Sequence, residues 1–315
     1  MSSMDEKVTP LPPFNLEGSL VQWLKKLQVD YNHTERNSKN LATHQVVPTP
    51  LVEFIFITSK ALELPLEVKF LAVDLFDRFI RNQFKDLYSE VLGSLTPRSL
   101  KRWEKVEAKI CSQLELRIFS CLQIASKFIP ENSTDSKILS SRMIYEFIKE
   151  DAAFSLQDIN KSEMRVFRTL NFQIGGATII TFVDALILGL YKHMYGSAEY
   201  NHILQKCYQM CEVVYLNHQE IYTHFFHKLT ALWDRSHADR LSFSSVECNG
   251  LIKGAAIILT TARLSQIPED KEKILTNELS RLTTSPEQCI QELSAVILHI
   301  ICPQYTPSKK YIHTH

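Results

Sequence analysis

Five cysteines and histidines fall close together in one predicted helical stretch, and both residue types are common metal ligands. They are Cys207, Cys211, His218, His224 and His227. Two of them, Cys207 and Cys211, are one helical turn apart, but no usual zinc-ligand spacing occurs and the histidines fall on several helical faces. Because buried thiols are common in helical cores, we expect core cysteines and partly exposed histidines here, and no metal site.

No motif for catalysis accompanies this cluster. The sequence contains no phosphate-binding glycine loop, no G-x-S-x-G turn around a nucleophilic serine and no H-E-x-x-H zinc helix. Each of these patterns places reactive groups at a fixed spacing, and no other catalytic constellation replaces them. We therefore predict a protein that is not an enzyme and needs no cofactor.

One lysine stands out because of its surroundings. The stretch SCLQIASKF, from Ser120 to Phe128, is almost entirely apolar or small, so a helix that carries it should be surrounded by other helices. Lys127 nevertheless occurs near its end. A lysine at such a position must reach water along its aliphatic stem, meet a carboxylate or contact a partner molecule. Lys127 is therefore a candidate binding residue.

The overall charge and the cysteines limit the possible classes of function. The chain of 315 residues has 35 lysines and arginines against 35 aspartates and glutamates, so no general field favours nucleic acid or an acidic membrane. Its seven cysteines are scattered and odd in number, which indicates a reducing compartment, the cytosol or the nucleus. The polar, acidic start does not resemble a signal peptide.

The elements that must position these residues are predicted to be helices throughout. Apolar residues recur at helical spacing, and no segment shows the alternation of a strand with hairpin turns. The most apolar run, residues 175–191, is short and contains Asp184, so we predict a buried helix and not a membrane span. An amphipathic helix with an apolar stripe from Leu16 to Leu27 is predicted before the main domain.

Three sequence fragments together resemble the cyclin family. LAVDLFDRF, Leu71 to Phe79, resembles a cyclin-box helix, IASKF, Ile124 to Phe128, resembles the end of the central helix, and EMRVFRTLNFQI, Glu163 to Ile174, resembles the last helix. LIKGAAIILTTARL resembles the central helix of a second box. The resemblance implies an all-α fold of two tandem cyclin-box bundles.

The implied domain boundaries follow from these fragments. They give an N-terminal tail with the amphipathic helix (1–44), a first box (45–175) with an insertion at about 84–109, a degenerate second box (176–303) and a C-terminal tail (304–315). A joint near Gly175 and Gly176 separates the boxes. The insertion contains a basic amphipathic run, for which a solvated helical extension is the expected structure.

The resemblance also implies a binding site. In cyclins, the lysine of A-S-K and the glutamate that opens the last helix form a charged pair at the kinase-binding face, and here these residues are Lys127 and Glu163. Phe128, Phe172 and Ile174 match apolar family positions that contact the kinase. Removing one member of a pair that becomes buried on binding leaves an unpaired charge, which is costly.

The sequence departs from the family in the surface that docks short substrate peptides. The patch corresponds to Val47, Leu51, Phe54, Ile57 and Leu114, and isoleucine replaces the acidic residue that the family has at position 57. We therefore expect peptide docking of the usual kind to be weakened or absent. Pro48 also replaces an arginine that, in the family, pairs with the aspartate of D-R-F, so Asp77 is expected to pair with Arg81 one turn away.

The resemblance implies a non-catalytic partner of a cyclin-dependent kinase. Within the family, the closer resemblance is to a member that acts in meiosis, which implies a nuclear role in crossover maturation with meiotic recombination proteins as partners. Two alternatives remain: a scaffold of the same fold that activates no kinase, and a nucleic-acid adaptor of the transcription initiation factor type, against which the balanced charge argues. Thr306, followed by proline, matches a site for proline-directed kinases.

Overall fold

The structure is a computed structural model, which describes residues 47–91, 105–106, 108–129, 137–150, 154–194, 197–234, 236, 239, 243 and 245–304. Its regular structure over these ranges is entirely helical, so the predicted all-α fold class is confirmed. The predicted N-terminal helix, Thr306 and much of the predicted insertion lie outside the described residues.

The described residues form eleven helices of eight or more residues. They are α1 (Thr49–Ala61), α2 (Leu66–Val91), α3 (Leu114–Phe128), α4 (Ser141–Ile148), α5 (Leu156–Thr169), α6 (Ile179–Met194), α7 (Ser197–Leu216), α8 (His218–Thr230), α9 (Gly250–Leu264), α10 (Glu269–Thr283) and α11 (Glu287–Ile301). They form two groups, α1–α5 and α6–α11, each built around one buried central helix.

Helix α3 is the centre of the first group. All residues from Leu116 to Ser126 are buried, and α1, α2 and α5 pack against it. Helix α5 can approach closely because small hydroxyl side chains meet at the contact, where the oxygens of Ser120 and Ser162 are 2.6 Å apart. A capping box of Ser155 and Asp158 begins α5.

Helix α9 is the centre of the second group, with α6, α7, α10 and α11 around it. Two glycines allow α6 to lie against it. A Cβ atom at Gly250 would come within 2.3 Å of the Phe182 ring, and one at Gly254 would come within 3.2 Å of a Leu186 methyl group. The two groups are consistent with tandem boxes, whose boundaries stay a prediction.

Polar and aromatic contacts join the two groups. Lys69 of α2 forms an ion pair with Glu212 of α7, and its ammonium lies 5.2 Å from the ring centre of Phe56. Tyr215 of α7 packs edge-on against Phe70 at 5.1 Å. The hydroxyl of Thr49 donates to a backbone carbonyl at the end of α7. The relative position of the groups is thus fixed by side chains from α1, α2 and α7.

The helices differ from the sequence-based expectation in three places. Helix α2 continues to Val91, so residues 84–91 of the predicted insertion belong to a helix. The long stretch after residue 200 is broken at Asn217 into α7 and α8. Helix α10 was not predicted because it is mostly polar, and only one narrow stripe that includes Leu275, Leu279 and Leu282 is buried. Among the described residues, none of the helices is apolar over a length that could cross a membrane.

Candidate functional site

The ion pair predicted between Lys127 and Glu163 is present in the structure. Nζ of Lys127 lies 2.6 Å from Oε1 of Glu163, although the residues are 36 positions apart in the sequence. The side chain of Lys127 is 42% exposed and that of Glu163 is 15% exposed. The pair is therefore solvated on the lysine side, and a partner that covers it would have to replace this water.

The local sequence explains why the two charges meet. Lys127 is in the last turn of α3, where the partial negative charge of the helix end favours a cation. Helix α5 packs against α3 through Ser120 and Ser162, and Glu163 is the residue next to this contact. Burial of the serines thus sets the register that brings Glu163 to the end of α3.

Two exposed phenylalanines lie close in sequence to the two helices that carry the pair. Phe128 follows Lys127 and is 51% exposed, and Phe172, just beyond α5, is 65% exposed. A Cβ atom at Gly175 would lie 3.2 Å from the end of the Phe128 ring, so the absence of a side chain there lets the ring rest on the backbone. Large exposed rings of this kind are typical of a protein-binding surface.

The loop that carries Phe172 has an unusual backbone. Asn171 and Phe172 both have positive φ, 51° and 60°. The amide of Phe172 donates to the carbonyl of Phe167, and the amide of Asn171 donates to the carbonyl of Arg168, which is a Schellman ending of α5. The rings of Phe167 and Phe172 stack at 6.2 Å. A bulky residue with positive φ is strained, and such strain often occurs at functional sites.

Sequence reasoning missed the residues that hold this loop. Arg78 of α2 is buried, and its guanidinium donates to the carbonyl oxygens of Gln173 at 2.8 Å and Ile174 at 3.3 Å. The amide of Asn82, one turn further, donates to the carbonyl of Thr169. A signal for this role was present in the sequence, because the arginine of D-R-F lies in an apolar part of its helix. A buried guanidinium must find a hydrogen-bond acceptor.

Ile174 differs from the expectation for a contact residue. Its side chain is only 6% exposed and belongs to the core of the free chain. The resemblance placed it among the residues that touch the kinase, whereas here its side chain is buried and its carbonyl oxygen accepts a hydrogen bond from Arg78 of α2. In this structure Ile174 therefore supports the loop from below, and Phe128 and Phe172 make up the exposed apolar part.

The five residues of the predicted peptide-docking patch do not all reach the surface. Ile57 is exposed, Leu51, Phe54 and Leu114 are half-buried, and Val47 is buried. Val47 does not belong to the surface patch, because its amide donates to Oδ1 of Asp77 and its side chain enters the core.

The carboxylate of Asp77 also pairs with Arg81, so the predicted Asp77–Arg81 pair is confirmed. Both side chains are buried. The backbone amide of Val47 and the guanidinium of Arg81 thus replace the arginine that the family has at the position of Pro48. The start of α1 remains attached to α2 without it.

The cysteines and histidines of the second group do not form a metal site in the described part of the chain. Cys207 and Cys211 are buried, and burial raises the pKa of the Cys207 thiol to about 12 and the pKa of Cys211 well above its ordinary value. Thiols held in the neutral form are core residues and poor ligands. His218 is buried against Tyr222, whereas His224 and His227 contact the exposed Trp233.

Comparisons with known proteins agree with this architecture. The family model described as "Cyclin, N-terminal domain" matches residues 19–175. The mouse protein "Cyclin N-terminal domain-containing protein 1" is 27% identical over 255 residues, which cover 79% of this chain and 74% of the mouse protein. The human protein of the same name is 27% identical over 219 residues, which cover 67% of this chain and 64% of the human protein, slightly less than two thirds of its length.

A solved structure shows the same fold at low sequence identity. The X-ray structure of a viral cyclin from herpesvirus saimiri matches with a TM-score of 0.53 and 12% identity, and covers 88% of this chain and 96% of its own. The family model, the two mammalian relatives and the solved structure all indicate the same family, the cyclins. Proteins of this family are regulatory rather than catalytic. The chain belongs to the cyclin family.

Proposed function

We propose that this protein is a non-catalytic regulatory subunit that binds a cyclin-dependent kinase through the surface formed by Lys127, Glu163, Phe128 and Phe172. The observation that carries the proposal is the 2.6 Å pair between Lys127 and Glu163, brought together by helix packing from distant parts of the sequence. Family membership supports a protein partner of this class.

The charges and rings of this surface suit the backbone of a partner helix. The ammonium of Lys127 can donate to a carbonyl group, and the carboxylate of Glu163 can accept from an amide, so the pair can bond both kinds of backbone group. The exposed faces of Phe128 and Phe172 offer apolar area on which side chains of the partner can pack. A charged pair surrounded by aromatic anchors has the composition of an energetic hot spot.

Co-expression with candidate kinases tests the proposal, with Lys127→Glu and Glu163→Lys compared with the wild type. Each change places two like charges beside each other at the centre of the surface and leaves neither with its opposite charge on binding. We expect each to weaken kinase binding by about 2–5 kcal/mol, which is roughly 30-fold or more. Retention of the kinase and its activity by both variants would leave a scaffold that activates no kinase as the better function.

A second ion pair in the first group supplies a matched control. Glu146 and Lys149 of α4 are 2.7 Å apart and exposed. Neither residue belongs to the proposed surface. We expect Glu146→Lys and Lys149→Glu to keep kinase binding, because exposed pairs contribute little to the fold. Equal losses in both sets of variants would point to a general effect of charge reversal.

The biological setting is a further part of the proposal. The resemblance to a meiotic member of the family supports a nuclear protein that directs its kinase to meiotic recombination sites, where recombination proteins are its other partners. Immunostaining of spread meiotic chromosomes tests this setting separately from kinase binding. Foci on paired chromosomes that remain in the Lys127→Glu variant would show that recruitment to the chromosome does not depend on the kinase.

A further inference from the structure

The end of α8, in the second group of helices, presents large apolar side chains to solvent. Leu229 is 46% exposed, and Leu232 and Trp233 are each 54% exposed. Ala231, between them, has a φ of 58°, so the backbone turns sharply where α8 ends. The turn brings Trp233 back beside α8, where its ring stacks on that of His227 with 3.7 Å between the ring centres. Trp233 is therefore held in one position although more than half of it is exposed.

Two further histidines extend this surface. The ring of His224 meets Trp233 edge-on at 5.3 Å, and His299 of α11 lies 6.1 Å from His224. Because His227 covers one face of the Trp233 ring, the opposite face is the place where another side chain can stack. We define the ring surface as Leu229, Leu232, Trp233, His224 and His299.

Among the described residues, acidic side chains outnumber basic ones around the ring surface. Glu220 lies one turn before the first histidine of the surface, on the same face of α8. Glu292 lies two turns before the histidine of α11, again on the same face, and Asp234 directly follows the tryptophan. Lys228 is the exposed basic residue of α8 in this region. A segment with positive charge and an aromatic side chain would complement such a surface.

The C-terminal tail has this chemistry and is attached close by. Helix α11 carries His299, and the described part of the chain ends five residues later, at Gln304. The sequence that follows, YTPSKKYIHTH, has two lysines directly before a tyrosine and an isoleucine, and no acidic side chain. Seven residues lead from Gln304 to Tyr311 and can span up to about 25 Å. The tail is therefore long enough to turn back to the ring surface.

We propose that residues 309–313 of the tail bind the ring surface of the same molecule. The ring of Tyr311 stacks on the exposed face of Trp233, and the two lysines lie near the three carboxylates. Attachment to α11 supplies a millimolar effective concentration, so an affinity of about 0.1 mM keeps the tail bound in about nine molecules of ten. The bound tail covers the exposed tryptophan and shares no residue with the proposed kinase-binding surface.

Cleavage of the full chain by chymotrypsin after Tyr311 tests the proposal, because a stacked tyrosine cannot enter the protease. At low protease concentration, cleavage follows the population of the unbound tail. Mass spectrometry should therefore show cleavage about 10-fold slower than in a synthetic peptide of residues 305–315. Cleavage at the rate of the peptide would overturn the proposal. Slow cleavage that is lost on dilution of the protein would overturn binding within one molecule and indicate a second copy.

Two variants test the assigned contacts, each compared with a peptide of its own tail sequence. Trp233→Ala and the double variant Lys309→Glu/Lys310→Glu should both be cleaved as fast as the peptide. The double variant changes only the tail, so it remains informative if Trp233→Ala impairs folding. Slow cleavage retained by the double variant, or by a folded Trp233→Ala variant, would overturn the proposal.

Controls and a charge exchange complete the experiment. Phe172→Ala removes an exposed ring elsewhere, and Lys271→Glu/Lys273→Glu reverses two exposed lysines of α10, so both should keep the slow cleavage. Adding Glu220→Lys and Asp234→Lys to the double tail variant should restore it, because the opposite charges again face each other. Fast cleavage in either control, or no recovery after the exchange, would overturn the assigned contacts.

Discussion

The guanidinium of Arg78 donates from Nη1 to the carbonyl oxygen of Gln173, 2.8 Å away, and so attaches the loop after α5 to α2. The same side chain pairs with Asp74 on its own helix. Gln173 directly follows Phe172, so Arg78 holds the residue next to the most exposed ring of the proposed kinase-binding surface. Arg78 is therefore a positioning residue, although it is buried and cannot touch the partner itself.

Arg78→Met should therefore weaken kinase binding through Phe172. We expect a loss of about 10-fold, since hydrogen bonds to a charged group contribute about 1.5–3 kcal/mol. In a Phe172→Ala background the same change should cost much less, because the ring it positions is gone. Binding affinities of the wild type, both single variants and the double variant measure this coupling. Additive losses would show that Arg78 does not act through Phe172.

The sequence was enough to predict the charged residues of the site, but not the structure that supports them. Lys127 and Glu163 could be found because the fragments around them fix their places in a known fold. Ile174 could not be placed, because its burial depends on a loop whose path is set by Arg78, 96 positions away in the sequence. The polar helix α10 was missed for a related reason, because only its packing against α6, α9 and α11 makes it a helix of the core.

The buried Asp77–Arg81 pair should be important for stability. Asp77→Asn keeps an acceptor for the amide of Val47 but removes the charge opposite a buried guanidinium. Breaking a buried ion pair typically costs about 3–5 kcal/mol, so urea unfolding should shift by an amount of this order. Glu146→Gln, in an exposed pair, should shift it far less. A small effect for Asp77→Asn would mean that water reaches Arg81.

Asp184 should make stability fall as the pH rises. Burial of this residue of α6 raises its pKa above 3.8, against the lowering effect of the 2.6 Å bond from the hydroxyl of Tyr208. The folded state then holds the proton more tightly than the unfolded state, so stability decreases as pH rises from about 4 through the raised pKa. Asp184→Asn should be more stable than wild type at pH 7, and the difference should shrink towards pH 4.

Asp158 provides the opposite case for the same measurement. Hydrogen bonds from the side chain and then the backbone of Ser155 lower its pKa, so its contribution is present above pH 3.8 and is lost as the pH falls through the lowered pKa. Asp158→Asn should therefore be less stable than wild type at pH 7. Unfolding curves from pH 7 to below pH 3.8 compare the two variants. The same sign for both would contradict the assigned causes.

Close helix packing at Gly250 should make this position intolerant of any side chain. Alanine favours a helix over glycine by about 1 kcal/mol, but its Cβ would come within 2.3 Å of the Phe182 ring. Overpacking of this kind costs about 1–3 kcal/mol, so we expect Gly250→Ala to destabilise the chain. Gly176→Ala is the control, because its nearest atom would be 4.0 Å away. Thermal unfolding distinguishes them, and equal stability would mean that Phe182 moves aside easily.

Phe172→Gly should separate stability from binding at the proposed kinase surface. The backbone of Phe172 has a φ of 60°, which glycine adopts without strain, and its ring is mostly exposed. Relief of this strain, of order 1 kcal/mol, competes only with loss of the stacking on Phe167. We therefore expect a melting temperature equal to or above that of wild type, together with weaker kinase binding. Phe172→Ala, which keeps the strain and loses the ring, should bind as weakly but melt at a lower temperature than Phe172→Gly. If the glycine variant kept full affinity, the Phe172 ring would stabilise only the end of α5 and would not contact the partner.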